Sequence, residues 1–96
     1  MATYITLLRW TTQGLEDIKD SPKRLDAARK GFEAVGVRMK DFYMVTGRFD
    51  MVVIVEAPDD VALAKALLSV ASKGSVQTET LRAFTENEYR NIVGAI

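Results

Sequence analysis

The sequence predicts a single small α+β domain, residues 1–96, of β-α-β-β-α-β order, working as a homodimer or a higher even-numbered homo-oligomer. Three observations carry this. Two segments, Thr3–Thr46 and Phe49–Phe84, each read as strand, helix, strand. The run Met51-Val52-Val53-Ile54-Val55 is apolar at every position, the pattern of a strand covered on both faces. A chain of 96 residues buries only roughly 60–65% of its unfolded surface, so a second subunit supplies cover it lacks alone.

Thr3 to Trp10 alternates and is rich in β-branched and aromatic residues, which makes it a strand. Ser21-Pro22 supplies an N-cap and a proline at the first helical position. Leu25, Ala28, Phe32 and Val35 then recur at helical spacing until Gly36 stops the helix. Val37 to Thr46 is a second strand, and Gly47-Arg48 turns the chain into a third, Phe49 to Ala57. Pro58-Asp59-Asp60 opens a second helix, with Val61, Ala64, Leu68 and Ala71 as its stripe and Gly74 as its end. Val76 to Phe84 is the fourth strand. Thr85 and Glu88 form a capping box for a short C-terminal helix with Tyr89, Ile92, Val93 and Ile96 on one face. The order is that of a ferredoxin-like fold with a four-stranded antiparallel sheet. Its helices cross one face, so the other needs a cover, and a symmetric partner packed sheet to sheet provides it.

Thirteen basic and thirteen acidic residues cancel, so no global field draws nucleic acid. RNA-recognition domains share the strand order but carry stacking aromatics on their central strands, where this chain has Met51, Val53 and Val55. The chain has neither cysteine nor histidine, which removes thiolate chemistry and the usual ligands of zinc and haem. No D-x-D-x-D-G loop is present, so neither a metal nor any other cofactor is expected. Met1–Leu8 stops at Arg9 without a basic leader, and no uncharged stretch approaches the length of a membrane span. The expectation is a soluble cytoplasmic protein without membrane partners.

At Gly47-Arg48-Phe49-Asp50, followed by Met51 through Asp60, the chain resembles the GYD-domain family. The likeness extends to Gln13-Gly14, to Ile18 through Arg24 and to Thr78 through Phe84. It implies a dimeric α/β barrel and no particular chemistry. Phe49 stands where the family signature has tyrosine, so a role for a phenol hydroxyl at that place is not retained.

Candidate site residues follow from residue type and placement. Asp50 opens an apolar strand beside Arg48; it is either a general base or ligand-orienting carboxylate, or a structural Asp bonded to turn amides or paired with Arg48 or Arg82. Thr78, Thr80 and Arg82 share one strand face, where two hydroxyls and a guanidinium suit a carboxylate or phosphate. Trp10 and Tyr43 are candidates to line an apolar pocket between sheet and helices, or else belong to core or interface. Ser21, Lys23 and Arg24 start the first helix, where an anion on free amides would explain the basic residues and a solvated basic end would do so equally. The connection Thr11–Ser21 is longer than the usual 2–6 residues and is a candidate functional loop.

Two classes of function fit these residues. One is a cofactor-free oxygenase- or isomerase-like enzyme holding a small acidic metabolite, with Asp50 or a tyrosine as proton acceptor. The other is a non-catalytic ligand-sensing or assembly module, which needs no catalytic group.

Overall fold

The strands are the elements most strongly dictated by sequence, and the computed structural model, which describes residues 1–96, places them at β1 (Ala2–Trp10), β2 (Arg38–Met44), β3 (Met51–Ala57) and β4 (Val76–Ala83). They form one antiparallel sheet of order β2-β3-β1-β4. The helices are α1 (Thr12–Glu16), α2 (Ser21–Ala34), α3 (Asp60–Ala71) and α4 (Glu86–Gly94), with a 3₁₀ turn at Ile18–Asp20. The topology is the expected ferredoxin-like one. The sheet of this chain is open, with β2 and β4 as free edges, so a single chain is not a closed barrel.

Register follows from burial. β1 pairs with β3 from Ala2↔Ala57 to Leu8↔Met51, and with β4 from Thr3↔Ala83 to Trp10↔Val76. Tyr4, Thr6 and Leu8 therefore lie level with Val55, Val53 and Met51, and this row is buried beneath α2 and α3 with Phe32, Leu63 and Ala66. Side chains alternate along a strand, so Ile5, Leu7, Val52, Ile54 and Leu81 point to the opposite face. No helix crosses that face.

The first helical stripe is where the spacing puts it, with Phe32 buried and Leu25, Ala28 and Val35 partly so. The second is not. α3 buries Leu63 and Ala66 and partly Leu67 and Val70, while Val61 and Leu68 stand 63% and 70% exposed. The segment Val61-Ala62-Leu63-Ala64-Lys65-Ala66-Leu67-Leu68 is apolar around most of its circumference, so periodicity offers two phases and only packing selects one. A further correction concerns Ser21. The 3₁₀ turn runs directly into α2, the Ser21 amide bonds the Ile18 carbonyl, and Ser21 is the first helical residue, not the cap.

The long connection after β1 is a clasp. The Thr11 amide donates to the Ser75 carbonyl at 3.0 Å, and the Thr11 hydroxyl donates to the Gly74 carbonyl at 2.6 Å. The same hydroxyl accepts the Gly14 amide at 3.1 Å and so caps α1. Gly14 is buried against the turn between α3 and β4, and a Cβ there would lie 2.2 Å from the Ser75 carbonyl oxygen. Glycine is needed here for close approach, not for backbone freedom.

α4 carries the full capping box, with the Thr85 hydroxyl accepting the Glu88 amide and the Glu88 carboxylate accepting the Thr85 amide at 2.9 Å. Its apolar face meets nothing in its own chain: Tyr89, Ile92 and Val93 are 48–59% exposed and Ile96 fully. The helix extends from the body as an arm, and the molecule spans 49 × 31 × 17 Å. No helix is long and apolar enough to cross a membrane.

The clasp and the cap can each be tested. Gly14→Ala is expected to lower stability by about 1–3 kcal/mol, because the added methyl forces the clasp apart; thermal unfolding by circular dichroism measures it. The backbone hydrogen bond from Thr85 holds the Glu88 carboxyl below its ordinary range. A depressed pKa means that the cap is intact above the ordinary glutamate value, about 4.3, and is lost as pH falls through the lower folded one. Cα chemical shifts of residues 86–90 should therefore move toward coil values on acidification, and Glu88→Gln should remove that dependence.

Candidate functional site

A cavity of about 90 Å³ lies between the sheet and the two long helices, and Ser75, to which the clasp bonds, is on its lining. Leu8, Phe42, Met51, Val53 and Val70 belong to its apolar wall, and Ala28 lines it from α2. Thr6 on its floor is 2% exposed, and its hydroxyl is satisfied by Thr80 at 3.0 Å, so the floor presents no unpaired polar atom. Trp10 and Thr78 line the cavity from β1 and β4, and Ser21 and Arg24 line it from the start of α2. Four of the residues singled out by sequence thus converge on one space, from two strands and a helix.

Arg24 is fixed in place. Its guanidinium donates to the Asp17 carbonyl at 2.8 Å and the Gly14 carbonyl at 3.1 Å, which ties α1 to α2. Lys73, in the turn after α3, is the second cation on the cavity. No carboxylate lines it, and neither cation has a carboxylate partner, the ion pairs of the chain being Arg29–Asp26, Arg38–Glu56 and Arg90–Glu86. Lys23, the other member of the predicted anion group, is exposed and does not reach the cavity.

The remaining candidates lie elsewhere. The Asp50 carboxylate accepts the Trp10 amide at 3.0 Å, while the Asp50 amide donates to the Leu8 carbonyl at 2.9 Å and its carbonyl accepts the Val45 amide at 2.8 Å. It thereby staples the end of β1 to the turn between β2 and β3. Arg48 borders a shallow depression with Arg9, Phe49 and Glu79, where the Arg9 guanidinium lies 4.8 Å from the Phe49 ring centroid. That contact needs an aromatic face and no hydroxyl, so phenylalanine serves it as tyrosine would. Tyr43 is on the outer face beside Val52, 56% exposed.

Thr78, Thr80 and Arg82 do share a face, yet each serves a different neighbour. Thr78 lines the cavity, Thr80 bonds Thr6, and the Arg82 guanidinium sits between the rings of Tyr4 (5.5 Å) and Phe84 (4.4 Å) while donating to the Thr3 carbonyl. Tyr4 donates its phenol proton to Asp60, and that hydrogen bond, with burial second, holds its pKa above the ordinary range. A phenol held in this way is a poor proton acceptor.

A family model described as the GYD domain matches residues 4–93 of this chain. The chain belongs to the GYD-domain family. One relative of this GYD chain is the glutamine synthetase and cystathionine beta-lyase binding protein of Thermus thermophilus, 40% identical over 84 residues, 86% of this chain and 88% of that protein. A crystal structure from the same organism matches with a TM-score of 0.58 at 26% identity, covering 88% of this chain and 95% of the other. The feast or famine regulatory protein of M. tuberculosis, solved with L-methionine, matches with a TM-score of 0.67 at 16% identity over 88% of the GYD chain and 51% of its own; at that identity the likeness is one of fold alone.

Reading residues in isolation missed Lys73 and the α3 wall of the cavity. Lys73 sits in a turn with no periodicity to place it, and the one available signal was its position just before Gly74. Asp50→Ala is expected to leave the Trp10 amide without its partner at a cost of about 1–3 kcal/mol, visible as a lowered Tm. An unchanged Tm would reassign the carboxylate to a ligand.

Proposed function

We propose that this chain is a binding and regulatory module that pairs with a second copy of itself across the bare face of its sheet and, so assembled, binds metabolic enzymes in the cytoplasm. One observation carries the reading. The chain exposes 6496 Å², whereas a compact monomer of 10.7 kDa exposes about 5500 Å². The excess exceeds the ~800 Å² that each partner buries in a standard interface. It has an evident origin in the uncovered sheet face and the undocked α4, both apolar.

The acid–base reading loses ground for a separate reason. Asp50, its named carboxylate, accepts the Trp10 amide, and Tyr4, one of the tyrosines available to it, donates its proton to Asp60. The name of the Thermus relative supports enzyme partners, and supports glutamine synthetase and cystathionine beta-lyase as the first to try.

The test uses wild type and the double variant Ile54→Lys, Leu81→Glu, which charges the outer face without touching the core. Sedimentation equilibrium should give an even-numbered oligomer for wild type and a folded monomer for the variant. Surface plasmon resonance with purified glutamine synthetase or cystathionine beta-lyase should show binding by wild type and its loss in the variant. A wild type that is monomeric at micromolar concentration overturns the pairing. An oligomer that ignores both enzymes overturns the partner assignment.

A further inference from the structure

We infer that the cavity between the sheet, α2 and α3 is a binding site for a short aliphatic monocarboxylate that carries no ammonium group, with its tail inside and its carboxylate on Arg24 and Lys73. The site lies within one chain, so it stands whether or not the pairing does.

Size sets the tail. A dry cavity of about 150 Å³ holds benzene, so the ~90 Å³ here suits an apolar chain of about four or five carbons whose polar end projects from the opening. The wall chemistry agrees: the interior is aliphatic and aromatic, and the one buried hydroxyl on its floor, that of Thr6, is already bonded to Thr80. An apolar tail therefore matches the greater part of the lining.

Charge sets the head. Arg24 and Lys73 are the ionised groups on the cavity, and both are free of carboxylate partners. Arg24 uses guanidinium N–H groups on the carbonyls of Gly14 and Asp17, which hold it rigidly, and a guanidinium has five N–H donors in all. Lys73 is exposed and Arg24 half-buried, which puts the opening at the end of the fold where α1 docks. A carboxylate bridging the two stays in contact with water and gains charge-assisted hydrogen bonds. An α-amino acid of the same skeleton brings an ammonium to two cations with no acidic residue to receive it. The site therefore selects against amino acids and for acids that lack the amino group.

The chain carries its own reporters. Trp10 is its one tryptophan and lines the cavity. Of its four methionines, Met39 and Met51 line the cavity, while Met1 and Met44 are 69% and 67% exposed. The probe is 4-methylpentanoate, compared with 4-methylpentan-1-ol and with leucine. Trp10 emission should change saturably with the carboxylate, with the Met39 and Met51 methyl signals shifting and those of Met1 and Met44 staying fixed. The alcohol and leucine should each bind about tenfold more weakly or worse. Lys73→Ala, at an exposed position, should remove most of the preference for carboxylate over alcohol, and Ala28→Leu should fill the cavity and abolish the response in a protein whose circular dichroism is unchanged. Equal affinity for alcohol and carboxylate overturns the assignment of the head group. Tighter binding of leucine overturns the selection against ammonium. If neither Trp10 nor the two methionines respond up to about 10 mM, beyond the weak end of specific affinities, the cavity is not a site.

Discussion

Both long helices of this fold cross the same face of a four-stranded sheet, and every other feature of the molecule answers to that asymmetry. One row of side chains, from Tyr4 to Leu8 and from Met51 to Ala57, receives a complete cover and forms the core. The alternate row receives none, although Ile5, Leu7, Val52 and Ile54 are as apolar as their buried neighbours. Strand periodicity makes this unavoidable, since a central strand that is apolar throughout must send half its side chains each way. No element of the chain itself supplies a second cover.

The covered side has its own tension. Two helices of 14 and 12 residues lie across a sheet nine residues long at its longest strand. At the end where Trp10 and Val76 meet, the small Ala28 leaves the space beneath the helices unfilled. The insertion between β1 and α2 docks beside that end. Gly14 lets it lie against the Ser75 backbone, and Arg24 ties its carbonyls to α2. Of the residues that make the GYD resemblance recognisable, Arg24 lines the cavity and Gly14 seats the insertion beside it. Those around Gly47–Asp50 build the staple at the adjoining strand end.

Much of this was legible in the chain itself. The strand order, the Phe32 stripe, the capping box at Thr85 and the clustering of Thr78, Thr80 and Arg82 on one face follow from short-range periodicity, and the structure keeps them. What local pattern cannot carry is phase and destination. The stripe of α3 was ambiguous because nearly every position on it is apolar, and tertiary packing chose Leu63 and Ala66 over Val61 and Leu68. Asp50 looked like a reactive carboxylate because the amide it accepts is 40 residues away. Trp10 with Ser21 and Arg24 formed two unrelated suggestions until the clasp brought strand end and helix start to one cavity. Residue type suggests a chemistry; long-range partners decide whether that chemistry is free.

The capping box of α4 is made entirely within residues 85 to 88, so it owes nothing to the rest of the fold. An isolated helix of nine residues is marginal in water, and a cap that satisfies its first amides locally shifts it toward order before anything docks. The backbone of the arm is therefore arranged before anything covers its apolar face. Little conformational entropy then remains to be lost on contact, in contrast to a segment that folds as it binds. A preformed helix on a two-residue link thus presents its apolar face at a low entropic cost of covering it.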